Sequence, residues 1–111
     1  MRYVKRPKAR PVIYAIFYPC LVKVANKHGY ALALHGSMRR DCDIVAIPWT
    51  EDACSALTLL KALAKGVNGT IQEDKNGFIR GDKPHGRVAY CISIGSGAYL
   101  DISFMPRKVN S

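Results

Sequence analysis

Acidic residues are scarce in this chain: eight Asp and Glu stand against 17 Lys and Arg, a formal net charge of +9 over 111 residues. That balance makes an anionic partner the expectation, without choosing among nucleotide, RNA, DNA and an acidic protein. Long apolar runs are missing too. The longest, such as Val12 to Phe17, are far too short for a bilayer-spanning helix, so no membrane role is expected. The basic N-terminus followed by an apolar stretch imitates a signal peptide. Tyr14, Tyr18, Pro19 and Lys23 interrupt that stretch and no small-residue cleavage site follows, so a cytoplasmic protein is expected. No two of the four cysteines, Cys20, Cys42, Cys54 and Cys91, have CxxC spacing, which argues against zinc. Each sits among apolar residues and reads as a reduced, buried thiol. Internal repeats are absent, and low complexity is confined to the N-terminal arm.

What is present fits one domain. Hydrophobic residues make up 49% of the chain, enough for a single core, and the 23% charged residues are too ordinary for wholesale disorder. Five of the 17 basic residues fall in the first ten positions: Arg2, Lys5, Arg6, Lys8 and Arg10. Residues 1 to 10 thus read as a basic arm, either a solvated tail or a holder of phosphate backbones, ahead of a domain spanning 11 to 108.

From Val12 the apolar positions Val12, Ile13, Ile16, Phe17, Leu21, Val24 and Ala25 have helical spacing with one buried stripe. Pro11 suits the first turn, Pro19 should kink or restart the helix, and Gly29 suits its C-terminal cap. Tyr30 to His35 reads as a strand, Gly36 to Arg40 as a turn, and Asp41 to Ile47 as a second strand ended by Pro48. Thr50 is placed to cap a helix, with Glu51 and Asp52 in its first turn, running to about Lys65. Thr70 to Glu73 reads as a short strand and Asp74 to Gly86 as a polar loop. Arg87 to Ile94, a Gly95-Ser96-Gly97 turn and Ala98 to Met105 form a hairpin ended by Pro106. The order implies an α+β domain: a mixed sheet with helices packed on one face.

Three of the eight acids, Asp41, Asp43 and Asp101, lie inside apolar strands, where aspartate is depleted. Strand side chains alternate faces, so Asp41 and Asp43 point away from Cys42 and Ile44, and Asp101 shares a face with Tyr99 and Ser103. If the two strands are neighbours, three carboxylates converge. Each pair then repels by about 4 kcal/mol at ~4 Å and an effective dielectric near 20. Such a cluster needs a divalent cation, a shared proton, or an arginine from among Arg39, Arg40 and Arg87. Mg²⁺ or Mn²⁺ suits it, since hard cations take oxygen ligands and leave positions open for phosphate oxygens. Gly36-Ser37 precedes the pair; glycine permits close backbone approach to a ligand, and the serine hydroxyl can bond a phosphate oxygen.

Lys83-Pro84-His85-Gly86-Arg87 packs two cations and a histidine around a turn. It is either an ordinary charged loop or a phosphate clamp with His85 as proton carrier. His35 is either a satisfied structural histidine or a pocket residue. Trp49 either covers the core or stacks on a base.

The combination of HGS at His35 to Ser37, DCDIVAI at Asp41 to Ile47 and YLDIS at Tyr99 to Ser103 resembles the nucleotidyltransferase superfamily, the polymerase-β-like fold. It looks closest to the short members carried by phages and prophages. The resemblance covers residues 12 to 106. It implies that Asp41, Asp43 and Asp101 hold Mg²⁺ (or Mn²⁺) and are catalytic. It also implies that Gly36, Ser37, Arg39, Arg40, Lys83, His85 and Arg87 bind a nucleoside triphosphate. The implied reaction moves a nucleoside monophosphate to an acceptor hydroxyl on RNA, protein or a small molecule. Members of that family separate Gly-Ser from Asp-x-Asp by a longer segment that begins a helix; here only Met38, Arg39 and Arg40 intervene. The second reading is therefore a non-catalytic protein of the same fold that binds nucleic acid, nucleotide or a host protein.

Overall fold

A computed structural model of the chain describes residues 11–38 and 41–107. The basic arm and Arg39 and Arg40 therefore lie outside the described residues, as does Lys108 at the end of the expected domain. The elements in chain order are helix α1 (Pro11–Lys27), strands β1 (Tyr30–His35) and β2 (Asp41–Pro48), and helix α2 (Ala56–Gly66). There follow the two-residue strands β3 (Thr70–Ile71), β4 (Glu73–Asp74), β5 (Gly77–Phe78) and β6 (Gly81–Asp82). A 3₁₀ turn (Pro84–Gly86) leads into β7 (Val88–Gly95) and β8 (Ala98–Phe104). The fold is α+β. Strands pair in the order β1-β2-β8-β7-β3, with β6 also on β7, while β4 and β5 form a separate ribbon. Only β2 and β8 run parallel, which makes the sheet mixed. Among the described residues no helix is long and apolar enough to cross a membrane.

One face of the sheet is the core. Cys42, Ile44 and Ala46 of β2 and Leu100, Ile102 and Phe104 of β8 are at most 2% exposed. They pack with Tyr14, Leu21 and Ala25 of α1 and Leu59, Leu60 and Leu63 of α2. Phe104 meets Tyr30 and Tyr90 edge to face, at ring-centroid distances of 6.4 and 6.1 Å. The alternate residues of β2 and β8 point to the opposite face, and there the acids lie.

Several local expectations are corrected. Helix α1 does not restart at Pro19 but runs through it as one element. Its buried stripe is Tyr14, Leu21 and Ala25; Val12 and Ile16 face outward at 57% and 69% exposure. Tyr14 wins its place because its hydroxyl accepts a bond from the Tyr99 amide at 3.3 Å while its ring is buried. Thr50 caps nothing helical. Its hydroxyl donates to Asp52 at 2.7 Å, and the next segment is held as a turn by the Cys54 amide bonded to the His28 carbonyl. Helix α2 starts later, where Ser55 Oγ accepts from the Thr58 amide. Of the four cysteines, which form no disulfide, only Cys42 is fully buried, and burial pushes its thiol up to about 11. The segment 74–86 is partly ordered, by the β4–β5 ribbon and by β6 on β7.

Candidate functional site

Register places the chemistry. Along β2 and β8 the parallel pairing sets Asp41 beside Tyr99, Asp43 beside Asp101, and Val45 beside Ser103. Across the antiparallel neighbours, His35 stands opposite Asp43 and Cys91 opposite Asp101. The row His35–Asp43–Asp101–Cys91 thus crosses four strands on the face the helices leave open.

A cavity of about 270 Å³ opens over this row, lined by His35, Asp43, Lys83, Arg87, Asp101 and Ser103. Two carboxylates and two cations are among its lining residues. Arg87 is pinned: Nε donates to the Pro84 carbonyl at 3.0 Å and a terminal nitrogen to Ser103 Oγ at 3.1 Å. The Lys83 amide donates to the Arg87 carbonyl, closing the loop, whose His85 and Gly86 both have positive φ. No hydrogen bond or ion pair joins Lys83 or Arg87 to Asp43 or Asp101. Neither cation is therefore bonded to the carboxylate pair, although the Lys83 charge acts on Asp43 from a distance. Asp43 shows the consequence. Burial and then the Asp101 charge raise its pKa above the ordinary carboxylate value, with Asp41 adding to the rise and His35 and Lys83 opposing it.

Gly36 has a role that close approach to a ligand did not suggest. Its φ is +79°, and a Cβ there would stand 2.6 Å from Asp43 Oδ2. The missing side chain makes room for the Asp43 carboxylate. Gly36→Ala is therefore expected to push that carboxylate aside without altering any charge, and to cost about 1 kcal/mol in backbone strain as well. Urea melts should register the modest destabilisation.

Of the residues singled out in the sequence, the cavity gathers Asp43, Asp101, Lys83 and Arg87. Asp41 sits one rung along on the same face, beside Tyr99; it is not among the lining residues, but its charge acts on Asp43. Gly36 lies under Asp43 rather than in the cavity wall, and Ser37 and His85 do not line it. Arg39 and Arg40 lie outside the described residues. His35 and Ser103 join the wall; strand alternation carried the signal for Ser103, which shares a face with Asp101 on the same strand, whereas His35 is placed by the β1–β2 register.

Among the described residues no three His, Cys, Asp or Glu side chains are grouped to cage a metal ion. The Asp43–Asp101 pair suits a looser demand. Mg²⁺ is commonly held by one or two carboxylates, with water and substrate phosphates completing its shell. Two carboxylates and two cations lining one cavity, with no bond between them, fit a Mg²⁺–polyphosphate, which carries charges of both signs. Comparison with protein-family models, curated proteins and solved structures finds no match to this chain.

Proposed function

We propose that the chain is a metal-dependent nucleotidyltransferase that binds a Mg²⁺–nucleoside triphosphate at the Asp43–Asp101 pair and transfers its nucleoside monophosphate to an acceptor hydroxyl. The observation that supports this reading is the pairing of those two carboxylates on neighbouring parallel strands in a cavity that Lys83 and Arg87 also line, with no cation bonded to them among the described residues. Asp43 and Asp101 would hold Mg²⁺ (or Mn²⁺), with Asp41 contributing from the next rung. The bound ion supplies charge neutralisation at the reacting phosphate. Lys83 and Arg87 bind phosphate oxygens, and the bond from Arg87 to Ser103 keeps its guanidinium aimed across the open face. A carboxylate of the pair can take the proton of the acceptor hydroxyl as that oxygen bonds to phosphorus and pyrophosphate leaves. Gly36 keeps Asp43 in position for this.

Equilibrium binding of a nucleoside triphosphate, with Mg²⁺ and with a chelator, tests the reading. Binding should require the metal and fall at least about tenfold in Asp43→Ala, in line with the loss of a metal-orienting group. Metal-independent binding unaffected by Asp43→Ala would overturn it. A second reading draws on Asp41's place outside the cavity: a protein of this architecture that binds nucleotide without turnover. Metal-dependent binding with no release of pyrophosphate in the presence of RNA or protein acceptors would favour it.

A further inference from the structure

A second and larger cavity, of about 580 Å³, opens further along the same sheet face, lined among others by Ile47, Trp49, Glu51, Met105, Pro106 and Arg107. The alternation that turns Asp43 and Asp101 outward also turns Ile47 and Met105 outward. The pairing persists that far, since the Met105 amide donates to the Ala46 carbonyl at 2.9 Å. Two paired rungs follow one another along β2 and β8, Asp43 with Asp101 and Val45 with Ser103, and Ile47 and Met105 come next after the last pair, Ala46 with Phe104. Four residues at ~3.3 Å put the two cavities about 13 Å apart.

Trp49 is 75% exposed and is the only tryptophan in the chain. Its amide and that of Thr50 both donate to the Gly29 carbonyl, at 2.8 and 3.1 Å. The backbone is thus fixed beneath an indole that packing does not require. Arg107 is tethered to the Ala53 carbonyl at 3.1 Å. One loop reaches from the first cavity to the second: a Cβ on Gly86 would stand 3.4 Å from Pro106 Cγ, so the loop carrying Lys83 and Arg87 packs on Pro106. Arg87 itself lies over the middle rung through Ser103.

An aromatic platform, a half-apolar hollow and cations continuing to the first cavity match one ligand chemistry. Single-stranded nucleic acid offers bases to stack and a backbone that a basic groove can follow. The net charge of +9 suits such a polyanion. We infer that the Trp49 cavity seats a base of a single-stranded nucleic acid whose backbone runs past Arg107 and Arg87 toward the Asp43–Asp101 pair. Stacking on Trp49 stands alone; that this strand is the acceptor rests on the nucleotidyl-transfer reading.

The test uses Trp49 as its own reporter. The full-length protein is titrated with an RNA and, separately, a DNA oligonucleotide of about ten nucleotides at low salt, without triphosphate. Tryptophan emission should quench saturably. Trp49→Ala should bind about tenfold more weakly, whereas Trp49→Phe keeps most of the affinity. Arg107→Gln should flatten the dependence of log affinity on log salt by about 0.7. Unchanged melting midpoints, expected for so exposed a residue, exclude misfolding. The tighter of the two oligonucleotides identifies the natural strand. Asp43→Asn should lose metal-dependent triphosphate binding yet not weaken oligonucleotide binding, so the two readings fail separately. Absence of oligonucleotide binding, or binding that leaves both the emission and the Trp49→Ala affinity unchanged, overturns the inference.

Discussion

Gly29→Ala is expected to destabilise the fold by about 3 kcal/mol. Two effects add. Gly29 has φ of +84°, a conformation that costs an L-residue with a side chain roughly 1–2 kcal/mol. A Cβ there would also lie 2.8 Å from the Ala53 Cα and 2.3 Å from Thr50 Oγ1. The threonine can rotate, at the expense of its bond to Asp52, but Ala53 cannot yield easily. Its amide is bonded to the Thr50 carbonyl, and the next amide to the carbonyl of His28. Overpacking against fixed backbone adds roughly 1–3 kcal/mol. Gly29 also accepts the amides of Trp49 and Thr50, so the strain spreads to the end of β2. At about 4–8 °C per kcal/mol for a small domain, the melting midpoint should fall by more than ten degrees. Gly81→Ala is the control. A Cβ at that position meets nothing closer than 3.9 Å, and its midpoint should barely move. An equal, small effect of both substitutions would show that the 28–54 junction is not the tight joint described here.

Asp43→Asn should behave in opposite ways with and without metal. Burial and the neighbouring Asp101 raise the Asp43 pKa in the folded state. The folded protein therefore keeps that proton to a higher pH than the unfolded chain does. Stability attributable to this group is lost as pH rises from the unfolded carboxylate pKa through the raised folded value. Asparagine keeps the shape and removes the charge. Without metal, the variant should be at least as stable as the wild type at neutral pH, and the difference should vanish on acidification below the carboxylate range. With Mg²⁺ the order reverses. A ligand bound only by the folded state stabilises it by about 2.7 kcal/mol at a hundredfold excess over its dissociation constant. For a domain of this size that is roughly a 10 °C rise or more, and it should be absent from Asp43→Asn. Four thermal melts decide the matter. If metal moves neither protein and the variant is the less stable, Asp43 is held by a cation, because removing one partner of an ion pair strands the other.

Much of the domain was legible from local pattern. Helical spacing and the Pro11 and Gly29 signals located α1, and the Gly95-Ser96-Gly97 turn located the hairpin of β7 and β8. In each case a few adjacent residues carry the information: a proline that fits a first turn, a glycine that takes positive φ, an apolar residue at every second or third position. Strand alternation likewise put Asp43 on the face opposite Ile44, and Asp101 with Ser103. Local pattern failed where a distant partner decided the outcome. Tyr14 displaced Val12 and Ile16 from the buried stripe because its hydroxyl meets the Tyr99 amide. Thr50 lost its cap role because the Cys54 amide is bonded to His28 and the segment turns before a helix can begin.

The site divides the same way. Residue chemistry and period placed the carboxylates in strands and on faces. That β2 and β8 are parallel neighbours was decided by tertiary packing, since the apolar faces of both strands must cover the same two helices. Register then set Asp43 against Asp101, left Asp41 a rung away, and brought His35 and the Lys83–Arg87 loop over the pair. Gly36 shows the difference most plainly. In sequence it is a flexible residue before a serine. In the fold its missing side chain is the space that the Asp43 carboxylate occupies, and only the antiparallel pairing of β1 with β2 creates that requirement.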